Sequence, residues 1–106
     1  MHNPAPRERR MRVHELLASP SSWTQHCTAR DWNGEGTMSQ FQDATKWCLM
    51  GALIKCYAGA ECAHTLALQF ACQKITSRIK QGIMGWNDHP DRTHKEVLAL
   101  CEELDV

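Results

Sequence analysis

A chain of 106 residues is long enough to bury a core of its own without a metal or disulfide brace, and too short for a second domain. Its twelve basic and twelve acidic side chains cancel, which excludes a global electrostatic pull toward nucleic acid, anionic lipid or an acidic substrate. No leader-like pattern occurs, nor an apolar run of the roughly eighteen residues a membrane helix needs, so the expectation is a single cytoplasmic domain spanning 1–106, with no membrane contact.

Residues 1–6, with Pro4 and Pro6, are expected to be flexible. Over 7–18, Met11, Val13, Leu16 and Leu17 supply a partial apolar stripe that predicts a helix, which Pro20 helps to stop. Arg7, Arg9, Arg10 and Arg12 make this end basic. Without interleaved aromatic residues a solvated helix face explains them better than a phosphate-binding patch, so nucleic acid is not an expected partner. The stretch SSWTQHCTARDWNGEGTMSQ has no helical period and carries Asn33, Gly34 and Gly36, which predicts a structured loop or short hairpin between the first two helices. Trp23 and Trp32 in it are read as covering an edge of the core.

From Asp43, DATKWCLMGALIKCYAG reads as a helix with Asp43 as N-cap and Gly59 as stop. Only Lys55 is charged between Trp47 and Tyr57, the pattern of a central helix surrounded by others. Gly51 in its middle costs roughly 1 kcal/mol relative to alanine, and close approach of a neighbouring backbone is the expected compensation. Residues 60–81 form the longest helical pattern, with Leu68, Cys72, Ile75 and Ile79 on one face and Gly82 as its stop. A last helix carries Val97, Leu100, Cys101 and Leu104. The expected fold is therefore all-α, a compact bundle of about four helices with one long structured loop.

Before the last helix stands GWNDHPDRTHKEVLAL, 85 to 100. Thr93 and Glu96 form a capping box, and Pro90 separates this helix from the preceding one. Asn87 and Asp88 suit side-chain to backbone bonds in a turn; Arg92 can brace it through Asp88 or Asp91, with the Trp86 ring packed beneath. The same groups could line a pocket, the ring as a stacking wall, the amide and carboxylate as hydrogen-bond partners and the guanidinium as an anion clamp.

WCLMGALIKC, WNDHPDRTHKEVLAL and WTQHCTARDWNGEG together resemble a family of small bacterial and phage proteins of unknown function, with W-C-x-x-G-A-L followed by W-N-D-x-P-x-R-T-x-x-E-V-L. The resemblance covers most of the chain from residue 13 onward. It implies that Trp47, Cys48, Gly51, Trp86, Asn87, Asp88, Arg92 and Thr93 occupy signature positions, and it implies no activity, substrate or cofactor. The occurrence in phages suggests a mobile-element protein that blocks a host defence complex.

The six cysteines mostly fall on apolar helical positions and form no CxxC pair, which favours buried thiols in a reducing compartment over disulfides or zinc. Cys62 and His64, even with His26 and Cys27, make a poor metal set, and no metal or cofactor is expected. The enzyme alternative is a small hydrolase or transferase with Cys48 as nucleophile, one of His26, His64, His89 or His94 as base and Asp88 orienting it. Burial of Cys48 in an apolar helix would make it inert instead. The sequence thus favours a non-enzymatic binding module. Its expected occupant is a protein partner, with a second copy of the chain or a small ligand as alternatives. The candidate contacts are Trp23, Arg30, Trp32, Trp86, Asn87, Asp88 and Arg92, tryptophan and arginine being the types most enriched at interface hot spots.

Overall fold

The computed structural model describes residues 11–58 and 65–106. The expected flexibility of 1–6, the basic cluster Arg7, Arg9 and Arg10, Gly59 as a stop, residues 60–64 of the helix expected from 60, and Cys62 and His64 all lie outside these residues; of the helices expected over 7–18 and 60–81, the described residues contain only Val13–Leu16, with Arg12 as its N-cap, and Leu66–Ile79, with Thr65 as its N-cap. Among the described residues the element order is α1 (Val13–Leu16), a 3-10 turn (Pro20–Ser22), β1 (Ala29–Arg30), β2 (Gly36–Thr37), β3 (Lys46–Trp47), α2 (Leu49–Tyr57), α3 (Leu66–Ile79), α4 (Ile83–Asn87) and α5 (His94–Leu104).

The fold is mixed, which corrects the expectation of an all-α helical bundle. A three-stranded antiparallel sheet in the order β2-β1-β3 occupies part of the anticipated loop and the start of the anticipated second helix. Ala29 faces Thr37 on one side and Trp47 on the other, and Arg30 faces Gly36 and Lys46. Strands of two residues contain only one step of side-chain alternation, so no pattern announces them. The Asp43 carboxylate accepts from the Thr37 hydroxyl (3.0 Å) instead of capping a helix. The Thr45 N–H donates to the Arg30 carbonyl (2.8 Å), which draws Lys46 and Trp47 into the sheet.

Helix α2 accordingly starts at Leu49, with Cys48 as its N-cap; the Cys48 Sγ accepts from the Gly51 N–H at 3.2 Å. The helix buries Leu49, Ala52, Leu53 and Cys56, the three-and-four spacing of a helix face. Gly51 is also buried, and a Cβ placed on it would run into the Thr28 carbonyl oxygen, the acceptor of the Cys48 N–H. Close approach to the chain entering β1 is thus what this glycine permits. Thr65 caps α3 by accepting from the Leu68 N–H (3.0 Å), and its hydroxyl donates to the Tyr57 carbonyl (2.6 Å), tying the end of α2 to the start of α3.

Helix α3 closes on Lys80 as its C-cap, in left-handed conformation with φ 63°. Gly82 does not stop it; it is the N-cap of the short helix α4, an element too brief for its spacing to announce. The Thr93–Glu96 capping box opens α5 as expected, with both reciprocal bonds formed. Glu96 is held below its ordinary pKa first by the Thr93 backbone N–H.

The five described helices and the sheet contribute to one hydrophobic cluster, in which Val13, Leu49, Leu53, Ile75, Val97 and Cys101 are fully enclosed. Trp23 packs half-buried against it. Substituting Gly51→Ala should cost about 3 kcal/mol, the upper range for overpacking, because the obstacle is main chain that cannot rotate away. Urea unfolding measures it, and a loss below about 1 kcal/mol would contradict the close approach.

Candidate functional site

The turn that follows α4 is built around Asn87, which is 0% exposed. Its Oδ1 accepts from the Trp23 indole N–H (2.8 Å) and from the Leu49 backbone N–H (3.0 Å). Its Nδ2 donates to the Thr24 carbonyl (3.2 Å) and to Asp88 Oδ1 (2.9 Å). Two N–H donors meeting at one atom fix which end of the amide is oxygen. The amide thereby joins the segment before the sheet, the first residue of α2 and its own turn.

Neighbouring groups strengthen the same seam. The Gln25 amide donates to the carbonyls of Asn87 (2.9 Å) and His89 (3.0 Å). Asp88 Oδ1 also accepts from the backbone N–H of His26 (2.9 Å), a residue held at φ 74°. Arg92 does brace the turn, but through the Trp86 carbonyl, to which its Nε donates (2.9 Å), and by lying over the Trp86 ring, 3.8 Å from the centroid. Its ion-pair partner is Glu96 at 3.6 Å, where Asp88 or Asp91 was expected.

Arg30 is likewise turned inward. Its guanidinium donates to the Thr24 hydroxyl (2.7 Å), the Gln25 carbonyl (3.1 Å) and the Gly34 carbonyl (2.9 Å). Five of the candidate contacts, Trp23, Arg30, Asn87, Asp88 and Arg92, are thus engaged in intramolecular bonds. Trp86 is half-buried. It also lines an open groove of about 370 Å³ together with Ile79, Ala99, Leu100 and the charged pair Arg78–Glu103.

Trp32 is different: it is 78% exposed, so it covers no core edge. It sits in the turn between β1 and β2, where Asp31 Oδ1 accepts from the N–H groups of Asn33 (2.8 Å) and Glu35 (3.0 Å) and Gly34 takes φ 87°. On the connection from β2 to β3, Met38 and Phe41 are each 52% exposed. Neither was singled out in the sequence. The available signal was two large apolar residues in a stretch without period, between Gly36 and Asp43.

Cys48 is 3% exposed. Burial pushes its pKa up, the N–H groups of Gly51 and Met50 pull it down, and the nearby negative charge of Asp88 raises it further. A nucleophile needs the opposite balance. Of the described histidines proposed as bases, His94 bonds the Leu17 carbonyl (2.6 Å), His89 Nδ1 accepts from the Asp91 N–H (3.0 Å), and His26, 4.0 Å from Asp88, is largely exposed. Cys101 is pushed up to about 12, chiefly by burial. Cys27, Cys48, Cys72 and Cys101 are free thiols. Among the described residues no group of three or more His, Cys, Asp or Glu could hold a metal ion, and no helix is long and apolar enough to cross a membrane.

The model of a family of unknown function, DUF6197, matches over residues 1–104. No curated protein and no solved structure shows significant similarity.

Two measurements check these assignments. Asn87→Ala should destabilise the fold by about 3 kcal/mol, since it strands the buried Leu49 N–H and the Trp23 indole; wild-type urea stability would show that the amide is dispensable. Cys48 should resist iodoacetamide at neutral pH until the protein is unfolded, as followed by mass spectrometry. Prompt native labelling would reopen the nucleophile.

Proposed function

The chain belongs to DUF6197, and we propose that it works as a non-enzymatic module of the cytoplasm that binds a protein partner through the β1–β2 turn and the connection after it. One observation carries this reading: Trp32, Met38 and Phe41, three large apolar side chains within ten residues of sequence, are all more than half exposed. Single exposed apolar residues are ordinary, but tryptophan is among the residue types most enriched at interface hot spots, and here two further large apolar side chains follow it closely in sequence.

The backbone beneath these side chains is pinned. The Trp47 indole donates to the Ser39 carbonyl (3.1 Å), the Gln40 amide to the Ile54 carbonyl (3.3 Å), and the Phe41 N–H to the Met38 carbonyl (3.1 Å). A surface held in place before binding loses less conformational entropy on association. The polar chemistry of the 86–92 turn then has a supporting task, holding together the segment that leads into the Trp32 turn. The free thiols support a reducing compartment. A host defence complex is the partner class that the resemblance to phage proteins suggests.

The test is affinity capture from the native host with wild-type chain, Trp32→Ala and Arg92→Ala, alongside thermal unfolding of each. Trp32→Ala should keep its melting temperature and lose the captured partner. Arg92→Ala should unfold earlier and, once normalised for folded protein, capture as wild type does. Retention of the partner by Trp32→Ala would refute the assignment.

A further inference from the structure

Helix α3 is apolar on two opposite sides. Its inner side, Leu68, Ala71 and Ile75, is buried in the core. Leu66, Phe70, Gln73 and Ser77 follow one another at four, three and four residues, which sets them on a single stripe along the opposite side. Leu66 is 67% and Phe70 60% exposed, where a surface helix ordinarily carries polar side chains. Phe70 stands as a ridge between two open hollows. One of about 340 Å³ is bordered also by Gln69, Cys72, Gln73 and Thr76, and one of about 500 Å³ by Gln73, Lys74 and Ser77. Ridges and grooves at this spacing are what the side chains of a second helix interlock with.

The charges of this helix have one sign. Residues 65–87 contain Lys74, Arg78 and Lys80 and neither Asp nor Glu. Arg78 is taken up by Glu103, to which its Nε and Nη2 donate (2.7 and 3.4 Å). Lys74 donates to the Leu104 carbonyl (3.3 Å), Lys80 is exposed, and among the described residues neither forms an ion pair. Asp105 borders a further hollow beside Phe70 and Lys74, but its carboxylate is matched there by Arg12 at 3.7 Å.

We infer that the outer face of α3 docks an acidic amphipathic helix of a protein partner, with aliphatic side chains on either side of Phe70 and carboxylates on Lys74 and Lys80. Helix-in-groove recognition uses apolar anchors at this three- and four-residue spacing. Carboxylates placed there give the two lysines the ion-pair partners that they lack within the chain. A second copy presenting the same face would set one acid-free helix against another, lysine against lysine. None of these residues belongs to the Trp32 turn, so the two surfaces are tested independently.

The probes are two short helical peptides, one of glutamate and leucine and one of lysine and leucine, titrated into the full-length chain while backbone amides are followed by NMR. The glutamate peptide should shift the amides of residues 66–80, and the lysine peptide should leave them in place. Phe70→Ala should weaken the glutamate peptide about tenfold or more. The double variant Lys74→Glu with Lys80→Glu should weaken it as much and should take up the lysine peptide instead, a reversal that loss of structure would not produce. Circular dichroism of both variants should match that of the wild type.

No shift, shifts confined to residues outside α3, or equal shifts with the lysine peptide would each overturn the inference. Concentration-dependent broadening of the 66–80 amides without peptide would assign the face to a second copy and overturn it too. So would broadening of these amides by phosphatidylglycerol vesicles with no response to the glutamate peptide, which would assign the face to a membrane surface.

Discussion

Four hydrogen bonds converge on the side chain of Asn87, and three of them reach main chain or an indole far away in sequence. A primary amide has two donors and an oxygen with two lone pairs, so this buried side chain is fully satisfied. Its partners come from the segment after the 3-10 turn and from the start of α2. Little regular structure runs between the 3-10 turn and β1 to hold that segment in place. A buried amide with all bonds made does so, because losing any one bond leaves a polar group stranded in apolar surroundings.

The second constraint is steric. Gly51 lets α2 approach the Thr28 carbonyl, and that same carbonyl accepts from the Cys48 N–H. The sheet thereby becomes the platform on which the N-terminus of α2 sits. Cys48 is consumed in this geometry as a cap, with its sulfur on the Gly51 N–H. The thiol, the glycine and the amide thus belong to one junction between sheet and helices, and the exposed turn extends from the sheet.

Much of the helical part was legible in the sequence because it follows from local rules. The Thr93–Glu96 box is a local motif and forms as read, and the apolar faces of α3 and α5 follow helical spacing. The glycine in α2 was legible in kind, since an interior glycine needs a nearby backbone to offset its cost. The sheet was not legible, because two-residue strands have no period and the pairing of β1 with β3 is non-local. Asp43 was misread for a related reason: a residue suited to capping a helix met a threonine hydroxyl across a loop instead. In the candidate site, residue type picked out groups that hold the structure together, but not the direction they face. In sequence Arg30 is indistinguishable from a solvated arginine and Arg92 is legible as a brace but not its partners; only tertiary structure turns both toward carbonyl oxygens.

The Asn87 junction also has a temporal side. Its bonds to Trp23, Thr24 and Gln25 span 62 to 64 residues, and contacts so distant in sequence are slow to close. During synthesis the ribosome releases the chain from its N-terminus, so the segment bearing Trp23 emerges well before the amide that anchors it. The helix it later abuts emerges earlier than that amide as well. The exposed turn is therefore made before the amide on which its final support depends.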